Sequence, residues 1–210
     1  DAGGLWDRYP VEQVATPEGY QRDPALVINF YNERRKQLLK VKPNRGHELL
    51  AELEKNFHVT VVTQNIDNLH ERAGSSHIIH LHGELTKVCS SRDPHNPHYI
   101  KELKPEEYEV KMGDKAGDGT QLRPFIVWFG EAVPEIETAI QYVEKADIFV
   151  IIGTSLNVYP AAGLLHYVPR GAEVYLIDPK PVDTHTSRSI HVIQKGASEG
   201  VAELKQLLGV

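Results

Sequence analysis

Cysteine occurs once in this 210-residue chain, at Cys89, and methionine once, at Met112. A single thiol excludes an intramolecular disulfide framework and suits a reducing cytosol, so a cytoplasmic location is the expectation. Long apolar runs are missing as well. Nothing approaches the roughly 18 residues a membrane-spanning helix needs, which excludes a helical membrane protein on sequence grounds. Positive charge is not in excess: 23 Lys and Arg stand against 29 Asp and Glu, a formal charge of −6 with a pI near 6.0. That balance leaves no electrostatic footprint for nucleic acid. Internal repeats and low-complexity tracts are absent too. The chain opens at Asp1 on "DAGGLWDRYP", with neither an initiator Met nor a signal-like segment, and further residues are expected upstream in the working protein. What is present, 40% hydrophobic and 25% charged residues, suits a globular protein with one well-buried core and a small appended lobe.

Two helices are clear from their start signals. "DPALVINFYNERRKQLL" offers Asp23 as N-cap, Pro24 at the first helical position, and Val27, Phe30, Tyr31 and Leu38 at helical spacing. "NRGHELLAELEKN" repeats the pattern, with Asn44 as cap and Leu49, Leu50 and Leu53 facing inward. It leads into a strand, "HVTVVT". From residue 84 periodicity fades into a Pro-, Gly-, Asp- and Lys-rich stretch that reads as an irregular insertion. The core resumes at "PFIVWFGE", followed by "PEIETAIQYVEKA" (helix), "DIFVIIGTS", "GAEVYLID" and "SIHVIQKG" (strands) and "SEGVAELKQLL" (helix).

Short, nearly all-apolar strands such as "IFVII" are what a parallel sheet covered on both faces requires. The fold class is therefore α/β, doubly wound. Ligands of such sheets bind beyond the carboxyl ends of the strands. Three predicted strand ends carry polar chemistry: Gln64, Asn65, Asp67 and His70 after the first, Gly153, Thr154 and Ser155 after "FVII", and Asp178 after "VYLI". Each cluster alone is ordinary turn or cap chemistry. Their coincidence at the ends of one predicted sheet, with "HLHGEL" close behind the first, points to a shared polar crevice.

"TQNIDNLH", "LHGEL", "PFIVWFGE" and "GTSLNVYPAAGL" stand in the order and at the intervals of the motifs of the sirtuin family, the NAD-dependent protein lysine deacylases. The resemblance runs from "GGLW" almost to the C-terminus, where "KGASEGVAEL" resembles the closing adenine-side segment. It implies a Rossmann-like NAD-binding domain over residues 1–9, 46–83 and 124–210, and a small lobe over residues 10–45 and 84–123. It implies NAD as cofactor and acyl-lysine proteins or peptides as substrates, acting without nucleic acid or membrane, on a chain expected to be monomeric.

Carried over residue by residue, the resemblance makes His82 the general base on the NAD ribose, a task that suits histidine because its ordinary titration range lies near working pH. Asn65 and Asp67 match residues that hold the nicotinamide amide and its ribose and attend the chemistry; Gln64 matches a ribose contact. Gly153, Thr154 and Ser155 match the loop at the cofactor's phosphates and ribose, Asp178 the adenosine ribose, and Ala197, beside Ser198, the adenine. Val127, Phe129, Gly130 and Glu131 of "VWFGE", and Val158 and Tyr159 of "NVYP", match the two segments between which the peptide is held as an added strand. Tyr31 and Arg34, three apart on one helical face, resemble the pair with which class III sirtuins prefer succinyl and malonyl groups, the guanidinium pairing with the distal carboxylate. On residue pattern alone, Arg34 could equally belong to a solvated basic face with Arg35 and Lys36.

Two departures stand out. The four zinc cysteines of most sirtuins are reduced to Cys89, so a Cys₄ site is not possible and no metal is expected. His95 with His98, or His80 with His82, are weaker metal candidates, and a lobe packed through its own apolar residues is preferred. The Gly-Ala-Gly-x-Ser phosphate loop of the family does not occur in the sequence. The expected function is an NAD-dependent deacylase that removes succinyl or malonyl groups, acetyl less well, releasing nicotinamide and an O-acyl-ADP-ribose. An ADP-ribosyltransferase or NAD glycohydrolase, and a non-catalytic NAD or ADP-ribose sensor, remain as alternatives.

Overall fold

The structure, a computed structural model, describes residues 8–154, 161–183 and 186–210. The helices are α1 (Val11–Val14), α2 (Pro17–Arg22), α3 (Pro24–Leu38), α4 (Arg45–Glu52), α5 (Leu69–Ala73), α6 (Glu135–Val143), α7 (Ala161–Leu165) and α8 (Ala197–Leu207). The strands are β1 (Val61–Thr63), β2 (Ile78–His80), β3 (Gly83–Ser90), β4 (Lys101–Glu102), β5 (Leu122–Ile126), β6 (Ile148–Ile152), β7 (Glu173–Ile177) and β8 (His191–Ile193). They fall into two units, one of residues 1–42, 63–68 and 80–133, the other of residues 43–62, 69–79 and 134–210.

In the first unit, α3 begins where its sequence dictates. The Asp23 carboxylate accepts the Leu26 N–H at 3.2 Å, satisfying a donor that the helix leaves orphaned, and Pro24 sits where no N–H is needed. Its buried face carries Val27, Ile28, Phe30, Tyr31 and Leu38. Antiparallel β4, β3 and β5 form the sheet of this unit, with β3 central. The stretch from residue 84 is thus less irregular than its composition suggests, since its first seven residues complete an eight-residue strand. The alternation that would have revealed β3 holds only over its first four residues: the register to β5 shifts between Gly83 and Val88, and Val88, Cys89 and Ser90 are then buried in succession, so both faces of that end are covered. Ile28, Val88 and Val110 form a core cluster against which Tyr20, Leu103 and Leu122 pack.

The second unit is built on the parallel ladder β6-β7-β8. Tyr175, Ile177 and Ile193 of this sheet pack with Leu49 of α4 and Val201 and Leu204 of α8. Gly200 is what lets α8 settle on β7: a Cβ there would lie 2.2 Å from the Ile177 Cγ2. α4 opens on a reciprocal cap, the Asn44 side chain accepting from the His47 N–H at 2.9 Å while His47 Nδ1 accepts from the Asn44 N–H at 3.0 Å. By sequence the "VTVVT" strand is expected in one sheet with "IFVII" and "VYLI", whereas among the described residues the hydrogen-bonded sheets are β1-β2 and β6-β7-β8. Among the described residues β1 pairs with β2, bracketed by Val61 N–H to His77 O and Leu81 N–H to Thr63 O, each at 3.0 Å. A β-branched run specifies a strand but not its neighbour. Among the described residues no helix is long and apolar enough to cross a membrane.

Candidate active site

In the first unit the loop after β1 is held from three sides. The Asn65 N–H donates to the Thr63 hydroxyl at 3.0 Å, the Asn65 carbonyl meets His80 Nδ1 at 3.1 Å, and the Ile66 carbonyl accepts the Leu85 N–H at 2.7 Å. Asn65 is exposed, and Gln64 and Asp67 are half-buried on this anchored loop. Behind it, Arg35 is 3% exposed. Its guanidinium donates to the Leu85 carbonyl at 2.8 Å and to Asn32 Oδ1 and the Tyr108 carbonyl at 2.7 Å each. Burial pushes the Arg35 guanidinium down to about 10, against the opposing influence of Tyr31. Arg34 is half-buried and electrostatically coupled to Tyr31 and Asp67, both of which favour its charge while burial lowers its pKa. A solvated basic face is therefore not what this helix presents at residues 34 and 35.

His82 occupies the turn between β2 and β3, half-buried, and its carbonyl accepts the Val127 N–H at 2.9 Å. The glycine that follows is a steric requirement. Gly83 has φ +89°, and a Cβ there would stand 2.1 Å from the Phe125 carbonyl oxygen and 2.9 Å from Ile126 Cα. Only glycine lets β3 start this close to β5, and the approach fixes His82 beside the segment that begins at Val127.

That segment closes in a turn. The Glu131 N–H donates to the Trp128 carbonyl at 3.0 Å, with Gly130 at φ +90° in the third position, where a type II turn takes a positive φ. The turn's tip is exposed, Phe129 at 69%, while Trp128 is 2% exposed. The Phe129 N–H donates to the Ala15 carbonyl at 3.0 Å. The Trp128 indole N–H donates to the Tyr31 hydroxyl at 3.0 Å, and that hydroxyl donates to the Val14 carbonyl at 2.9 Å. Tyr31 is fully buried, and burial pushes its phenol up to about 12.

In the second unit the predicted residues gather on the carboxyl edge of the parallel sheet. Gly153 follows β6 at φ +69°, with nothing within 4 Å of where a Cβ would point, and its N–H donates to the Ile177 carbonyl at 3.0 Å. Asp178 follows β7, donates its N–H to the Ile193 carbonyl at 3.2 Å, and accepts the Lys180 N–H at 2.8 Å on its carboxylate. Thr154 continues from Gly153, and Ala197 opens α8 after Gly196. The adjacent Ser198 hydroxyl accepts the Gly46 N–H at 3.2 Å, tying the start of α8 to the start of α4. Open space beside Gly153, the Thr154 hydroxyl and a half-exposed carboxylate at Asp178 fit a hydroxyl-rich ligand. Ser155, Val158, Tyr159 and the opening "GGLW" lie outside the described residues.

The Sir2 family model matches residues 1–160. An NAD-dependent protein deacylase of Bacteroides thetaiotaomicron is 94% identical over 208 residues, 99% of this chain and 89% of that protein. The chain belongs to the Sir2 family. A Sir2 homologue solved as an NAD complex superposes with a TM-score of 0.82 at 35% identity, over 98% of this chain and 80% of that one. A structure described as Sir2 with p53 peptide and NAD+ superposes with a TM-score of 0.70 at 29% identity, covering 90% and 80%. The doubly wound, Rossmann-like class expected from the sequence is thereby the class of this Sir2 chain.

Where most sirtuins place zinc cysteines, this Sir2 chain has a buried thiol followed by a hydroxyl–carboxylate knot. Cys89 lies against the Pro124 carbonyl, 3.7 Å from its Sγ, and burial pushes the thiol up to about 12. The Ser90 hydroxyl bonds Asp118 and Thr120 and accepts the N–H groups of Arg92 and Asp93, at 3.1 and 2.9 Å. Hydrogen bonds from Ser90 and Thr120 push the Asp118 carboxyl down to about 2. His95 and His98 are exposed. Sequence reasoning missed Asn32, Arg35 and Arg123, all buried. The only signal was negative, a charged or amide residue on the inward face of a helix or strand.

Proposed function

We propose that this chain removes succinyl or malonyl groups from lysine side chains, and acetyl groups less efficiently, as its form of NAD-dependent protein deacylation. The supporting observation is Arg34. Its guanidinium is half-buried on the same helical face as Tyr31 and electrostatically coupled to Asp67, rather than extended into solvent. A desolvated guanidinium gains most from an anionic partner, and a fork of N–H donors matches a carboxylate. Tyr31 backs this face with its hydroxyl already donating to Val14. Its part is therefore to shape the pocket, and a hydrogen bond to the acyl group would require that donor to turn away from Val14.

The residues present fit NAD, which when bound supplies the ribose carbon that takes the acyl oxygen and the hydroxyl that carries the acyl group away. Asn65 and Gln64 hold its amide and ribose. The Asp67 carboxylate stabilises positive charge at the reacting centre, where a fixed charge shielded from water acts strongly. His82 accepts a proton from a ribose hydroxyl at a ring nitrogen, its backbone fixed by Gly83 and Val127. Within the second unit, Gly153, Thr154, Asp178 and Ala197 stand at one sheet edge and match the family's adenosine-side positions. The products are free lysine, nicotinamide and an O-acyl-ADP-ribose.

The peptide pairs with residues 127–131. The N–H groups of Val127, Trp128, Phe129 and Glu131 are all committed inside the chain, so the segment offers carbonyl oxygens to the peptide's N–H groups. Main-chain pairing of this kind binds with little reading of sequence.

The test is Arg34→Met. Loss of a charge-assisted pair worth about 1.5–3 kcal/mol lowers kcat/KM for a succinyl-lysine peptide by roughly ten- to a hundredfold, mainly through KM, while acetyl-lysine activity holds level or rises. Lysine at 34 restores only part, because a point charge lacks the fork. Equal losses on both peptides would make Arg34 structural.

A further inference from the structure

Arg123 lies on β5, four residues before the segment assigned to the peptide, and is 4% exposed. Its guanidinium forms both bonds of a fork with the Glu131 carboxylate, at 3.0 and 3.1 Å, donates to the Ile126 carbonyl at 2.8 Å, and lies 3.8 Å from the centre of the Trp128 ring. The same carboxylate accepts the Trp128 N–H at 2.8 Å. One guanidinium thus grips the segment at its entry, at its indole and at its exit. Burial alone would raise the Glu131 carboxyl, but the Arg123 hydrogen bonds and charge, with the Trp128 N–H, hold it below the usual carboxylate range. Both Glu131 oxygens are engaged within the chain, which leaves the side chain a brace rather than a ligand.

We propose that Arg123 is a positioning residue for the peptide substrate: through Glu131 and Trp128 it fixes residues 127–131 in the shape that pairs with the peptide backbone. This rests on the assignment of that segment to the peptide. The reasoning is geometric. The turn 128–131 has a single backbone hydrogen bond across it and a glycine near its tip, so its own backbone does little to hold it. The fork at Glu131, the carbonyl contact at Ile126 and the stacked ring supply the missing constraint, and a preorganised segment avoids an ordering cost on binding. Trp128 extends the brace through its indole N–H to Tyr31, on the helix that carries Arg34.

The experiment compares wild type, R123K, R123M and E131Q on an acyl-lysine peptide, with peptide and NAD varied in turn, alongside hydrogen exchange of residues 127–131 with and without peptide. R123M and E131Q are expected to raise the peptide KM by about tenfold, the scale of a lost charge-assisted hydrogen bond, with KM for NAD unchanged and faster exchange at the Trp128 and Glu131 amides. R123K, which keeps the charge but not the fork, falls between. Arg123 is merely structural, and the proposal is overturned, if the variants lose folded fraction and kcat in parallel while the peptide KM stays at the wild-type value. Should R123M fail to fold, R123K and E131Q carry the same test. Peptide that does not slow exchange of 127–131 in wild type removes the underlying assignment; slowed exchange in wild type with unchanged KM in the variants removes the role of Arg123 alone.

Discussion

Gly83→Ala measures how tightly the start of β3 must approach β5. Two costs add. A β-carbon at φ +89° carries the penalty of a left-handed L-residue, about 1–2 kcal/mol. It also overlaps the Phe125 carbonyl oxygen at 2.1 Å, and because that obstacle is backbone rather than the end of a side chain, no rotamer relieves it. Forced repacking of this kind costs about 1–3 kcal/mol. The sum, roughly 2–5 kcal/mol, lowers Tm by on the order of 10 °C in a chain this long. Gly113→Ala is the control, since Gly113 has φ +102° and open space around its missing Cβ. It carries the backbone penalty only, and its Tm should fall by roughly half as much or less. Deacylation should fall further than stability in Gly83→Ala, because the repaired geometry must shift His82 or the Val127 N–H that bonds its carbonyl at 2.9 Å. Thermal melts and kcat/KM on one peptide decide the matter. Equal Tm changes for the two glycine variants, or wild-type activity in Gly83→Ala, would refute the reasoning.

Cys89, buried with its thiol pushed up to about 12, should resist alkylation by iodoacetamide at neutral pH in the native protein and react once the chain is unfolded, as mass spectrometry would show. Rapid native labelling would mean that β3 and β5 do not cover it. Asp118, held down to about 2 by Ser90 and Thr120, has a folded pKa below its ordinary value of 3.8, so its contribution is complete above that value and is lost as pH falls from about 4 towards 2. Asp118→Asn should therefore be less stable than wild type at neutral pH, with the gap closing through that window in acid melts; a gap independent of pH would contradict the ionised knot.

The helices were legible because their ends are written in side chains. Asp23 with Pro24, and Asn44, announce α3 and α4 locally, and both caps form as read. Strand partners are not written locally, which is why β1 reads as a strand but not as the neighbour of β2. β3 escaped because a register shift within it and the burial of three successive residues, Val88 to Ser90, break the period of two on which strand reading depends. The candidate site was legible as motifs. What holds the motifs was not, because Arg35 to Leu85 spans 50 residues and Trp128 to Tyr31 spans 97. Arg34 and Arg35 show the limit most clearly: adjacent and alike in sequence, one is half-buried at Asp67 and the other is sealed beneath Leu85.

The most direct test of the functional account is to incubate the protein with NAD and, in parallel, succinyl-, malonyl- and acetyl-lysine peptides, and to identify the products by mass spectrometry. The account predicts nicotinamide release that depends on peptide, one O-acyl-ADP-ribose per lysine freed, kcat/KM higher for the succinyl and malonyl peptides than for acetyl, and loss of all three activities in His82→Ala. NAD consumption indifferent to any peptide, or acetyl turned over faster than both acidic acyl groups, would contradict it.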